Sequence, residues 1–215
     1  MKFDFTTEAP EVRYRLLSNF VGPRPIALVS TMGKNGPNAA PMSFFNVFSH
    51  DPAILILGIQ KRLDGRDKDT VANIQSTGSF VVNMVDMAIA EGMLICGLPF
   101  EPGIDEIATA GLTKRPGVHV PVPSIAESPC VMECVTEEVI DYGRRAIILG
   151  KVVHMDVRDD CLDPEGRYVD PAAYQPIARL HADNYIVPDA QFELKAPALD
   201  TITPVPADTR ADAEG

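Results

Sequence analysis

The sequence predicts a mainly β chain with a few peripheral helices, its strands closing into an antiparallel barrel. Three observations carry this. Compact apolar runs at 26–31, 53–60 and 80–85 have strand length and many β-branched residues. They are not separated by regularly alternating helices, so a doubly wound parallel sheet is disfavoured. Two longer runs, 130–140 and 146–157, flank Asp141-Tyr142-Gly143-Arg144 and read as a long hairpin. Closing such hairpins into a barrel removes most of their unpaired edges.

The elements follow in order. Residues 8–20 predict a short helix capped by Thr7, with Val12, Leu16, Leu17 and Phe20 recurring on one face. Pro23 and Pro25 end it. The strand at 26–31 is followed by Lys34-Asn35-Gly36, a tight-turn signal, and a return strand over 38–48. A third strand spans 53–60. A helix over 69–76 starts at Asp69 or Thr70 as cap and points Val71 and Ile74 inward. After the strand at 80–85, a helix over 86–96 is weakened by Gly92, and 104–110 form a further helical turn. The proline-rich stretch 116–129 reads as an extended connection, and 158–178 as an acidic, loop-rich excursion. Residues 179–187 are the last ordered segment. The expectation is one domain over 1–195 and a tail over 196–215, disordered or ordered only against a partner.

Composition narrows the function. With 215 residues and 46% hydrophobic content, the chain can build one sizeable core. A net charge of -11 repels phosphate backbones, so a nucleic-acid role is disfavoured and an anionic ligand needs a local basic pocket. No apolar run approaches the ~20 residues of a bilayer span. The first residues carry Asp4 and Glu8 and lack a signal peptide's apolar stretch, so the expected address is cytoplasmic, with no membrane partner. Cys96, Cys130, Cys134 and Cys161 form no CxxC pair, and Cys130 and Cys134 read as strand core. His50, His119, His154 and His181 are far apart in sequence, and no metal site is expected.

Neither standard dinucleotide fingerprint is present, nor a zinc-protease, nucleophile-elbow or EF-hand motif, and no catalytic residue can be named. The stretch Lys61 to Thr70 is the most informative. Lys61, Arg62, Arg66 and Lys68 crowd into this window of an acidic chain, just before a predicted helix start. A helix start with a lysine, an arginine and a hydroxyl suits a phosphate monoester. On composition alone the default is a solvated loop with an ordinary cap, because charge clusters usually lie on the surface. The second stretch, Asn38 to Ser49, sets small residues before Ser43, Phe44, Phe45 and Asn46. It can offer a flat heteroaromatic ring close backbone approach, an apolar wall and a few fixed polar groups. Read alone, it is a barrel strand with Phe44, Phe45 and Phe48 in core or interface.

Together these stretches carry a resemblance. RPIALVST, NAAPMSFFNVFS, KDTVANI and FVVNMV, in this order, resemble the flavin reductase-like family of FMN-binding split-barrel proteins, the flavoredoxin type. The match is strong over 24–83 and weaker at 130–157 and at RLHADNY, 179–185. It implies a split β-barrel with Greek-key connections, a homodimer, and FMN near the subunit interface. Position by position, it places Lys68 and Thr70 at the phosphate and Ser30 and Thr31 on the strand end facing the flavin. Ser43, Phe44, Phe45 and Asn46 would run along the ring and ribityl chain, with Asn83 and His181 nearby. Asn83 also reads as a residue satisfying a strand end, and His181 as a turn cap. Arg24 belongs to the family's Arg-Pro pair.

The implied function is that of a flavoprotein oxidoreductase, an NAD(P)H-dependent flavin reductase or relative. FMN would be the cofactor, NADH or NADPH the electron donor, and a small molecule or protein the redox partner. Hydride transfer needs no acid–base dyad, which agrees with the missing motifs. Two alternatives stand beside it. One is an FMN electron carrier docking a protein through its acidic surface, without a nicotinamide site. The other is a non-enzymatic flavin-binding module.

Overall fold

The computed structural model of the chain describes residues 1–188 and 190–203. Seven strands form one antiparallel sheet: β1 (Ala27–Gly33), β2 (Gly36–Met42), β3 (Phe45–His50), β4 (Ala53–Gln60), β5 (Ser79–Met84), β6 (Cys130–Tyr142) and β7 (Arg145–Val157). Their order across the sheet is β2-β1-β5-β6-β7-β4-β3. The two edge strands are therefore consecutive in the chain. The predicted single return strand over 38–48 is broken at Ser43-Phe44, and its halves pair on opposite edges. The Gly58 N–H donates to the Phe44 carbonyl at 2.8 Å and ties the bend to β4. One bent strand thus brings the sheet edges together, and the mainly β barrel expected from the sequence is the observed architecture.

β1 shows why its sequence is continuously apolar. Ala27 and Val29 belong to the barrel interior with Leu57, Phe80 and Ile148, whereas Ile26 and Leu28 face an outer layer. That layer comes from α3 (Ala90–Cys96) and α4 (Glu106–Thr109). With both faces covered, polar alternation is lost. α2 (Asp69–Thr77) sends Val71 and Ile74 into the interior cluster. It crosses β1 so closely that a Cβ on Gly33 would lie 2.0 Å from the Asn73 side chain. At Gly150, beside a register shift in β7, a Cβ would meet the Phe80 ring at 2.3 Å. Either substitution displaces a neighbouring side chain, the half-buried Asn73 or the core Phe80.

Several local expectations are corrected. α1 runs Pro10–Phe20, and Thr7 does not cap it; its hydroxyl donates to the Asp4 carbonyl in the preceding turn. On the apolar face of α1, Leu17 and Phe20 are 48% and 82% exposed. The hairpin turn is Lys34-Asn35, with Gly33 and Gly36 paired across it. Neither Asp69 nor Thr70 caps α2: Lys68 is the N-cap residue, and no side chain accepts from the first turn. The 86–96 helix divides into a 3-10 turn, Met87–Ile89, and α3.

The excursion after α4 is a strap fastened at three points. The Glu133 carboxylate accepts backbone N–H groups from Val118, His119 and Val120 at 2.7, 2.6 and 2.9 Å. The Ser30 hydroxyl donates to the Pro123 carbonyl at 2.6 Å, and Asn83 Oδ1 accepts from the Ile125 N–H at 2.8 Å. Arg24 binds the chain ends to the barrel: its guanidinium donates to the carbonyls of Ser18, Val21 and Leu180. No helix among the described residues is long and apolar enough to cross a membrane. Of the expected tail, residues 196–203 are exposed and the remainder lies outside the described residues.

Candidate functional site

Outside the barrel, β2, the start of α2 and the segment following α3 enclose a cleft of about 590 Å³. One part is apolar, with Pro41, Met42, Leu98, Pro99 and Phe100. The other carries Arg62, Arg66, Lys68 and Thr70. The chain reaches this arrangement through a tight loop after β4, in which Arg62 and Arg66 are joined by a backbone hydrogen bond of 2.8 Å. The loop delivers Lys68 to the start of α2, whose first N–H groups no side chain accepts from. Helix donors without a side-chain cap and the helix dipole put partial positive charge at this end of the cleft.

The cations are not equivalent. Lys61 turns away to Asp141 at 2.6 Å and does not line the cleft. Arg62 pairs with Asp69 at 3.0 Å, and Arg66 with Asp64 at 2.7 Å. Lys68 makes no ion pair among the described residues. The cleft also contains Glu106, only 8% exposed. Three cations (Arg62, Arg66, Lys68) thus stand with three carboxylates (Asp64, Asp69, Glu106).

Glu106 accepts from Asn38 Nδ2 at 2.7 Å and from the Ala39 N–H, on the free edge of β2, at 3.3 Å. Burial pushes its carboxyl above the usual range, and these bonds only partly offset that. Thr70 is buried, and its hydroxyl donates to Asn38 Oδ1 at 3.2 Å. Cys96 lies behind, its thiol pushed up to about 12 by burial. That makes it an unreactive wall of the cleft rather than a nucleophile.

The structure brings Lys68 and Thr70 together as cleft residues. Thr31 sits one layer behind them, donating to Asn38 Oδ1 at 3.4 Å and accepting from Asn73 at 3.0 Å. Ser43 and Phe44 form the bend that closes the barrel. The Phe44 ring lies beneath the guanidinium groups of Arg24 and Arg145, at 5.9 and 4.5 Å. Phe45 and Asn46 line a second, almost wholly apolar cavity of about 340 Å³, shared with Met132, Met155 and Tyr174. Ser30 and Asn83 are fully buried and committed to the strap, with Asn83 Nδ2 also donating to the Leu28 carbonyl and to Ser30 Oγ. His181 stands exposed in a turn beside Asn184 and does not line the cleft.

Asn38 and Ala39–Met42 belong to a stretch already singled out in the sequence, but their direct place on the cleft wall was not distinguished there. The 97–100 wall and Glu106 fall in a region where no motif was visible. The single hint is Gly97-Leu98-Pro99-Phe100, a helix stop followed by large apolar residues with no periodicity to bury them.

Known proteins share this architecture. Residues 21–178 match the flavin reductase like domain. The chain is 37% identical to an uncharacterized protein of Halalkalibacterium halodurans over 206 residues, covering 93% of this chain and 98% of that one. A solved 2-nitrobenzoate 2-nitroreductase of Pseudomonas fluorescens is 34% identical, with a TM-score of 0.83 and coverage of 93% and 98%. Nitrilotriacetate monooxygenase component B of Bacillus cereus is 29% identical, with a TM-score of 0.85 and coverage of 90% and 98%. The family match spans most of the chain and accords with its bent-strand barrel: this protein belongs to the flavin reductase like family of split-barrel proteins.

Proposed function

We propose that the cleft binds FMN and that the protein is an NAD(P)H-dependent flavin reductase or a related oxidoreductase. The carrying observation is the cleft's division into an apolar wall and a charged end, where Lys68 stands outside the ion pairs at an uncapped helix start. FMN has the matching division, a flat ring at one end and a phosphate at the other. The donor set fits: Lys68 supplies a charge and the first turn of α2 its N–H groups, with the Thr70 hydroxyl close by. The similarity to a nitroreductase and to a monooxygenase component supports redox chemistry of this class.

When bound, the flavin supplies the hydride chemistry. The protein's residues hold and shield it. Lys68 and the α2 start anchor the phosphate, and the free edge of β2 allows close backbone approach. Pro41, Leu98, Pro99 and Phe100 keep water from the apolar part. Transfer of a hydride requires no proton acceptor from the chain.

The working unit in this reading is a homodimer. β3 is an edge strand that exposes 64% of Val47 and 68% of Phe48, and α1 exposes Leu17 and Phe20. A second copy would cover unpaired strand groups and apolar side chains together.

The deciding experiment is anaerobic titration of the flavin-loaded protein with NADH and with NADPH. Bleaching of the flavin absorbance is expected with at least one of them. A flavin that binds but resists both would make the protein a carrier without a nicotinamide site. Denaturation should release FMN; release of mainly FAD would refute the phosphate end assigned here.

A further inference from the structure

Beneath the cleft, side chains from four elements form one directional hydrogen-bond chain. Asn73 donates to Thr31 at 3.0 Å, and the Thr31 and Thr70 hydroxyls donate to Asn38 Oδ1 at 3.4 and 3.2 Å. Asn38 Nδ2 then donates to Glu106 at 2.7 Å. An ionised carboxylate only accepts, so it fixes which end of the Asn38 amide faces it. The amide oxygen is left for the hydroxyls. The single proton of Thr70 therefore points at Asn38, not into the cleft. A phosphate also needs donors, and in this state Thr70 offers it only a lone pair.

We propose that Glu106 is a proton-controlled positioning residue for the phosphate end of the cleft, its protonation reversing the Asn38 amide and freeing the Thr70 hydroxyl to donate to a bound phosphate. The inference rests on the reading of the cleft as a flavin phosphate site. With Glu106 protonated, its O–H donates to Asn38 Oδ1. The reversed amide donates to Thr70 Oγ1, and the Thr70 proton turns to the ligand. One proton is gained, at Glu106; every other change is a rotation.

The surroundings favour such a response. From the α2 side, Asp69 adds negative charge, and Arg62 neutralises part of it at 3.0 Å. Lys68, Arg66 and Asp64 line the same cleft. On its own element, Asp105 is held by Lys114. From α3, the Cys96 thiol donates to the Glu106 carbonyl at 3.6 Å and stays protonated across the physiological range. Burial, the first cause of its raised ionisation, moves the Glu106 carboxyl up from its ordinary value.

Glu106→Gln mimics the protonated state. Its oxygen can accept from the Ala39 N–H, and its amide nitrogen can donate only to a reversed Asn38. The experiment measures FMN and riboflavin dissociation constants by fluorescence for wild type, E106Q, T70V and the double variant, between about pH 8 and pH 5. At the alkaline end E106Q should bind FMN roughly tenfold more tightly than wild type. Riboflavin should bind both alike. The two proteins should converge as the pH falls, whereas the phosphate's own ionisation affects them equally. In the T70V background the effect of E106Q should vanish. A tightening that persists in T70V would show simple removal of a repelling charge and overturn the proposal, as would equal affinities at pH 8 or a ratio constant with pH. Should E106Q not fold, wild type against T70V decides: only wild type should show the extra pH-dependent gain. No FMN binding by wild type would instead refute the cofactor reading itself.

Discussion

Two buried glutamates, Glu133 under the strap and Glu106 in the cleft, show how the same side chain serves two ends. Burial pushes the Glu133 carboxyl up, but three backbone N–H groups converge on it and hold it below the usual range. Glu106 has one amide and one longer N–H bond, and burial prevails. A fully satisfied buried charge fixes structure; an under-satisfied one keeps free energy in reserve for a ligand or a proton. The same contrast separates Ser30 and Asn83, committed to the strap, from Lys68, which makes no ion pair among the described residues.

The strongest test of this contrast is Glu133→Ala. It strands three N–H groups and should cost on the order of 3 kcal/mol or more of stability. Urea unfolding should show that loss, while any flavin bound below the transition keeps its affinity. A stable variant with weakened flavin binding would put Glu133 in the site and dissolve the distinction.

Lys68→Ala should do the reverse. Loss of one charge-assisted bond, ~1.5–3 kcal/mol, corresponds to roughly tenfold to a hundredfold weaker FMN binding. Riboflavin affinity and unfolding should barely change. Equal losses for both flavins would move Lys68 to the ring or to the fold.

Acid titration of stability separates the two carboxylates by sign. Glu133, depressed when folded, stabilises the protein above its unfolded ionisation, and that contribution is lost as the pH falls through its folded value. Glu106, raised when folded, contributes most below its unfolded ionisation and loses that contribution as the pH rises through its folded value. Thermal melts should therefore show a flatter acid limb for Glu133→Gln than for wild type, and a steeper one for Glu106→Gln. Identical limbs in all three proteins would contradict the assignment.

The smallest effect is expected at Arg66→Ala. Its guanidinium already faces Asp64 and is solvent-exposed, so FMN binding should weaken less than about threefold. A loss as large as that of Lys68→Ala would mean that the ion pair opens to receive the phosphate.

The strands at 53–60, 130–142 and 145–157 were legible because apolar and β-branched runs with clear turns encode them locally. The break at Ser43-Phe44 was not, since both halves have strand composition and only pairing on opposite edges separates them. The α1 helix was legible from its apolar periodicity, which marks a face without saying what covers it, and Leu17 and Phe20 on that face are exposed. In the cleft, the cation cluster before a helix start was readable, and the resemblance singled out Lys68 and Thr70 within it. Glu106, Asn38 and the 97–100 wall reach the cleft only through the way α3 and α4 pack on β2.

By itself, then, the sequence determined the family, the raw material of the antiparallel strands and the cation cluster before α2, all written in contiguous residues. Tertiary structure alone decided that Ser30 and Asn83 hold the strap, that Phe45 and Asn46 face a different cavity, and that Glu106 lies beneath Thr70. The physical reason is range. Propensity, capping and turn chemistry act over a few residues, whereas the partner that satisfies a buried polar group is chosen by packing between segments. Asn38 and Glu106, 68 positions apart, meet at 2.7 Å.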